Sequence, residues 1–234
     1  MGIAIRQARE SGRRVLSDCA LFRGLSAQEQ DALFAQVQVR SYAAGQSIFQ
    51  VSSAGENMMA VLSGSVRISV PSAEGKEIVL AILQPGEVFG EIALIDGKER
   101  TADATAMTAS QMAILERRDV FAFLDAHPRV WAKLAEVLCG RLRNTDQHIA
   151  EVALLQLPNR LAKALLRYSS AERRRPGDQP HSQIHLPQHE LGNICGASRE
   201  AVNKCLAAWQ RRGIVNIEKG LVTVVDAGAL AALA

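Results

Sequence analysis

Between Arg40 and Leu115 apolar and polar residues alternate in short runs, at 47–50, 58–62, 64–70, 77–83 and 111–115. Turn signals separate them at Ala44-Gly45, Gly55, Ser63-Gly64, Gly75 and Pro85-Gly86, roughly every ten residues. A period of two broken by glycine at that interval predicts a small antiparallel barrel or sandwich. Ahead of it, Ser26-Ala27-Gln28-Glu29 has the spacing of a capping box and predicts a short helix running to about Val37. After Arg117 glycine almost vanishes, and His127-Pro128 supplies a helix start. The stretch 130–157 holds a single glycine, Gly140, and predicts one long helix. Along it Ala135, Leu138, Leu142, Thr145, Ile149, Val152 and Gln156 follow alternating steps of three and four, the spacing of a coiled-coil seam. Pairing with a second copy and packing on the chain's own barrel would both produce that stripe.

Leu157-Pro158-Asn159 marks the next boundary, since proline disrupts a helix interior. Beyond it the pattern predicts a helix over 160–170, a polar loop over 170–180, two short helices around Gly196, and a hairpin of 214–217 with 221–225. The expected class is therefore α+β. Its domains are a β-barrel over 20–128 of double-stranded β-helix or jelly-roll type, a long dimerisation helix over 129–157, and a winged helix-turn-helix over 158–234.

Composition changes this picture little. With 48% hydrophobic and 22% charged residues the 234-residue chain is ordinary globular protein. No apolar run approaches the ~20 residues of a membrane span, and the arginines at 6, 9, 13 and 14 argue against a secretory leader. Arg6 also breaks the myristoylation pattern that Met1-Gly2 opens. A cytoplasmic protein with reduced thiols is expected, because the cysteines at 19, 139, 195 and 205 form no C-x-x-C pair. Charge is more informative. Of 27 Lys and Arg and 24 Asp and Glu, 11 and 6 lie from Pro158 onward, leaving 16 and 18 before it. The last third is thus basic (+5) on a mildly acidic body (−2), which hints at a polyanionic partner.

Two stretches carry chemistry. In Pro85-Gly-Glu-Val-Phe-Gly-Glu-Ile-Ala-Leu94, followed by Arg100-Thr101-Ala102, Gly90 lets backbone approach a ligand and the residues after it begin a helical turn with free N–H groups. Arg100 offers a planar donor fork to a phosphate, and Glu91 an acceptor for a ribose hydroxyl. In the second stretch, 186–209, Leu191, Ile194, Val202 and Leu206 have inward-facing spacing, Gly196 permits a sharp turn and Ser198 caps the second helix. Arg199, Glu200 and Lys204 then share an outward face. There Arg can grip guanine O6 and N7, Glu can accept from cytosine N4, and Lys can reach guanine or phosphate.

The first stretch resembles the phosphate-binding cassette of cyclic-nucleotide-binding domains, with the F-G-E-[IL]-A-L core and the R-[TSA]-A end both present. The second resembles the S-R-E-x-V-x-[RK] recognition helix of the CRP/FNR family, in which Arg also occurs at the position of Lys204. The resemblance implies a homodimeric, non-enzymatic transcription regulator whose ligand is a cyclic nucleotide, cAMP or cGMP. It implies a binding set of Phe89, Gly90, Glu91, Ile92, Ala93, Arg100, Thr101 and Arg141, with Thr145 and Asp146 contacting the base across the dimer. Asp146 stands where the family has Ser. A carboxylate there can accept from guanine N1–H and N2–H2 together, and Thr101 directly after the arginine is similarly a feature of cGMP-selective domains, so cGMP is favoured over cAMP. The alternatives are a regulator of the same fold sensing haem, a gas or another effector, although such relatives typically lose the Glu and Arg kept here, and a cyclic-nucleotide-binding module without DNA activity. The implied DNA-contacting set is Gln188, His189, Ser198, Arg199, Glu200, Asn203 and Lys204. Its expected target is a palindrome of TGTGA-like half-sites, with RNA polymerase a further partner. No H-E-x-x-H, G-x-S-x-G or P-loop pattern is present, and the five histidines have no metal-ligand spacing.

Overall fold

The computed structural model describes residues 15, 17, 19, 21–23, 25–73, 77–172, 183–184, 188–218 and 220–234. The chain divides into two compact units, Met1–Ser72 with Val79–Arg143, and Ala73–Ile78 with Asn144–Ala234.

In the first unit helix α1 (Ala27–Ala35) opens as expected. Ser26 Oγ accepts from the Glu29 amide at 3.3 Å, and the Glu29 carboxylate accepts from the Ser26 amide at 2.7 Å. Eight strands follow: β1 (Gln38–Tyr42), β2 (Ser47–Phe49), β3 (Asn57–Ser63), β4 (Val66–Pro71), β5 (Glu77–Leu83), β6 (Val88–Phe89), β7 (Asp103–Ala106) and β8 (Ser110–Glu116). They form two four-stranded sheets, ordered β1-β8-β3-β6 and β2-β7-β4-β5. Strand β3 is buried on both faces. Met59 and Val61 pack with Phe89, Met112 and Ile114 in one cluster. Met58, Ala60 and Leu62 belong to a second cluster with Leu33 of α1 and with Val120 and Leu124 of helix α3 (Arg117–Ala126). This is the period-two alternation of a strand between two apolar layers. Between β6 and β7 lies the six-residue helix α2 (Glu91–Asp96).

Helix α4 (Arg129–Leu154) has two apolar faces. Val130 and Leu134 are buried in the second cluster, with Trp131 and Val137 packed against it. Of the seam residues, Leu138 is half-buried while Leu142 and Ile149 are 62% and 60% exposed and Val152 is exposed as well. Intramolecular packing therefore uses other residues than the three-four seam. The helix stops at Leu154, three residues before the expected end, so Gln156 lies off the seam. Pro158 does not break α4; it occupies the first turn of helix α5 (Leu157–Glu172), where a missing N–H costs no hydrogen bond.

In the second unit α5 is followed by β9 (Gln183–Ile184), α6 (Gln188–Cys195), α7 (Arg199–Arg211), β10 (Val215–Glu218), β11 (Leu221–Val224) and α8 (Ala227–Ala231). Strands β10 and β11 form the expected hairpin, and β9 adds to β11 to complete a three-stranded wing. Leu161, Leu165, Leu191, Val202, Leu206 and Val222 are fully buried. Among the described residues no helix is long and apolar enough to cross a membrane, and no three His, Cys, Asp or Glu are grouped to hold a metal.

Glu29 does more than cap α1. Its carboxylate also receives Arg129, at the start of α4, and His127 Nδ1 at 3.1 Å, joining the N-terminal helix to the helix start. The Ser26 hydrogen bonds first, and then Arg129, pull its pKa down to about 2. A depressed carboxylate contributes stability above its unfolded pKa of ~4.3 and loses it as pH falls toward 2. Glu29→Gln should therefore lower the melting temperature at neutral pH and show a shallower further loss between pH ~4.5 and ~2 than the wild type. Superimposable acid-melting profiles would remove Glu29 from this role.

Candidate functional site

Strand β6 delivers Phe89 into the barrel core by pairing with Met59, and the chain then turns sharply at Gly90. Gly90 has φ +80°, and a Cβ there would stand 2.5 Å from Arg100 Nη1. Glycine is thus required twice, for the left-handed backbone and for the guanidinium lying against it. Its position before α2 leaves the first helical amides without a side-chain cap. A pocket opens here, lined by Phe49, Ile68, Phe89, Gly90, Glu91, Ile92, Ala93, Arg100, Thr101, Ala102 and Arg141. Eight of the sequence-predicted residues, Phe89 to Ala93 with Arg100, Thr101 and Arg141, are brought together in it.

Arg100 is the unusual member. It is 4% exposed, yet no carboxylate among the described residues lies within ion-pair distance. Its Nη1 donates to the Gly90 carbonyl at 2.7 Å, and Nη2 donates to the carbonyl and the side-chain oxygen of Asn57, each at 2.8 Å. The guanidinium lies over the Phe49 ring at 4.3 Å, a cation–π contact. Neutral acceptors position the fork but do not balance its charge. Burial holds the group below the usual arginine range, opposed by the more distant charge of Glu91. Its Nε is buried and has no hydrogen-bond partner.

Glu91 is fully buried at the other side of the pocket lining. Its Oε1 receives Arg141 Nη1 from α4, while Arg141 Nη2 donates to the Val88 carbonyl. The second oxygen, Oε2, is buried without a partner. The pocket thus combines a cation in need of an anion with a carboxylate oxygen in need of a donor. Asn57 and Phe49 were missed by the sequence reading because they come from β2 and β3, more than forty residues from Arg100, and no local motif marks them. Thr101 is exposed at the rim. Thr145 and Asp146 do not line this pocket; both are exposed on α4, past the division between the units.

In the second unit α6 and α7 meet at the turn of Gly196, whose φ is +59°. Gly192 sets the closeness of the two helices: its carbonyl accepts the Ala197 amide at 2.9 Å, and a Cβ on it would stand 2.9 Å from the Ala197 oxygen. Ser198 caps α7, its Oγ accepting the Ala201 amide at 3.2 Å. Val202, Leu206 and Trp209 hold the inner face of α7, leaving Arg199, Glu200 and Lys204 exposed together on the outer one. Asn203 is half-buried, with Oδ1 lacking a hydrogen-bond partner. Gln188 and His189 begin α6, but their side chains, like the 173–175 loop, lie outside the described residues. Three long exposed polar side chains on the second helix of such a pair are the arrangement by which a helix reads base edges in the major groove.

Comparison with known proteins matches a domain family to each of the two regions. The sequence profile of the Cyclic nucleotide-binding domain matches residues 39–127, and that of the Crp-like helix-turn-helix domain matches 159–233. The Cyclic AMP receptor protein of Thermus thermophilus is 36% identical over 92% of this chain and 96% of its own length. The CRP-like cAMP-activated global transcriptional regulator of Mycobacterium tuberculosis is 30% identical over 93% and 97%. Among solved structures, the c-di-GMP responsive global regulator CLP of Xanthomonas campestris shares the fold with a TM-score of 0.74 at 22% identity, covering 85% of this chain and 99% of that one. Two profiles in this order, and relatives matching almost end to end, establish that the chain belongs to the CRP/FNR family of transcription regulators, DNA-binding proteins and not enzymes.

Proposed function

We propose that this chain is a homodimeric, sequence-specific DNA-binding regulator whose affinity for DNA is set by a cyclic nucleotide bound in the Arg100 pocket. The observation that carries this reading is the buried Arg100 guanidinium, with no ion-pair partner among the described residues and an unpartnered Nε. Leaving a charge buried and unpaired is costly, and a phosphate monoanion with several acceptor oxygens supplies what is missing. The free Oε2 of Glu91 suits the ribose 2′-hydroxyl, and Arg141 steadies the other oxygen. Residues 20–128 are assigned to nucleotide binding, 129–157 to dimerisation and 158–234 to DNA.

The exposed Leu142, Ile149 and Val152 support dimerisation through α4, because large apolar side chains at coiled-coil spacing are costly to leave in water. The recognition helices of such a dimer would present Arg199, Glu200 and Lys204 to successive major grooves ~34 Å apart, on a palindrome of TGTGA-like half-sites. Nucleotide and DNA affinities are then reciprocally coupled, typically by ~1–3 kcal/mol. As to the base, the names of the two relatives favour cAMP. Asp146, a carboxylate exposed on α4, together with Thr101 at the pocket rim, favours cGMP, which is the ligand assigned here. Thr145 and Asp146 are the base-contacting pair in this reading.

Arg100→Ala should weaken nucleotide binding by ~2–5 kcal/mol in titration calorimetry, because it removes the phosphate's charge partner. Near-wild-type affinity in a folded variant would refute the pocket assignment. Asp146→Ser should move the ratio of affinities toward cAMP, and an unchanged ratio would deny Asp146 a role in reading the base. Arg199→Ala should cost ~1–3 kcal/mol on the cognate duplex in fluorescence anisotropy, with little loss on scrambled DNA. An equal loss on both sequences would assign Arg199 to phosphate instead.

A further inference from the structure

A guanidinium has five N–H donors, and in Arg100 neutral oxygens take three of them. Asn57 supplies two of those oxygens, its backbone carbonyl and its side-chain Oδ1, each 2.8 Å from Nη2. The Gly90 carbonyl supplies the third, 2.7 Å from Nη1. Nη2 thus gives both of its hydrogens to one residue. Asn57 is half-buried at the first position of β3 and takes no part in the pocket lining, so it reaches a ligand only through Arg100. The register of β3, which pairs Asn57 with Glu116, turns this amide toward Arg100, while the preceding residue, Glu56, is exposed.

The chemistry of that anchor matters as much as its geometry. Aspartate has the shape of asparagine and accepts the same hydrogen bond, and carboxylates are the usual partners of a buried arginine. A carboxylate in place of the Asn57 amide would neutralise the guanidinium inside the fold. Among the described residues, Glu91 is the only carboxylate lining the pocket, and its Oε1 is engaged by Arg141. The Phe49 ring attracts the cation without a formal charge. The described groups that touch Arg100 therefore orient it without neutralising it.

We propose that Asn57 is a positioning residue whose neutral amide tunes the pocket for an anion: it fixes the Arg100 fork with two oxygens and leaves the positive charge to be matched by a phosphate. The inference rests on the nucleotide reading of the pocket given above. It adds the residue outside the lining that sets the affinity.

The test compares Asn57→Asp and Asn57→Ala with the wild type, all as the full chain, by thermal melting without nucleotide and by titration calorimetry with cAMP and cGMP. Asn57→Asp should raise the melting temperature, because it gives a desolvated cation a counter-ion, and should weaken both nucleotides at least ~30-fold, because their phosphate then meets a neutralised pair. Asn57→Ala should lower the melting temperature and weaken binding only ~2–10-fold, the loss of one hydrogen bond. A loosened fold lowers melting temperature and affinity together, so stability rising as affinity falls is the signature of charge matching. In an Arg100→Gln background Asn57→Asp should instead lower the melting temperature, since the introduced carboxylate has no cation beside it. The proposal is overturned if Asn57→Asp binds either nucleotide as tightly as Asn57→Ala does, if it lowers the melting temperature with Arg100 present, or if it shifts that temperature equally with and without Arg100. If the wild type binds neither nucleotide, the functional reading fails, and the melting temperatures alone decide whether residue 57 governs the charge of Arg100.

Discussion

A guanidinium kept inside a barrel, with no anion beside it among the described residues, is the constraint around which the first unit is arranged. Arg100 is held by two carbonyls, one amide oxygen and the face of Phe49, groups that fix its orientation and leave its charge uncompensated. Gly90 must lack a side chain for that fork to fit, β6 must end at Phe89 to place the turn, and Asn57 must come from the neighbouring strand. The barrel as a whole fixes the orientation of this one buried cation.

Helix α4 carries the second constraint, because its apolar residues serve different surfaces. Val130 and Leu134 are committed to the core of the first unit, Arg141 reaches Glu91 in the pocket, and Glu151 is committed to α5. The exposed Leu142, Ile149 and Val152 remain for a further surface. One helix thus supplies Arg141 to the pocket lining, Glu151 to the contact with α5, and an apolar stripe left exposed.

Much of this was legible in the sequence where the signal is local. The Ser26–Glu29 capping box, the Gly90-Glu91 turn, and the spacing of Leu191, Ile194, Val202 and Leu206 each specify structure within a few residues, and each appears as read. What escaped lacks local contrast. Strand β1 is polar and exposed along most of its length, β7 is built of Asp, Ala and Thr, and β6 is two residues long, so none shows an apolar alternation. The end of α4 was misplaced because proline disrupts a helix interior but is at home in a first turn, and sequence alone does not say which Pro158 occupies. The stripe on α4 was ambiguous for a similar reason. Periodicity identifies a face, and only burial in the fold says that Val130 and Leu134, outside the seam, take the intramolecular share.

The central claim, that the Arg100 pocket is a cyclic-nucleotide switch on DNA binding, is tested most directly by titrating the purified wild-type chain. Calorimetry would follow cGMP and cAMP in parallel, each alone and then with a palindromic TGTGA-type duplex present. The account predicts that a cyclic nucleotide binds at one site per chain, with cGMP the tighter, and that the duplex tightens it further. Absence of binding by either nucleotide, or an affinity indifferent to DNA, would contradict it.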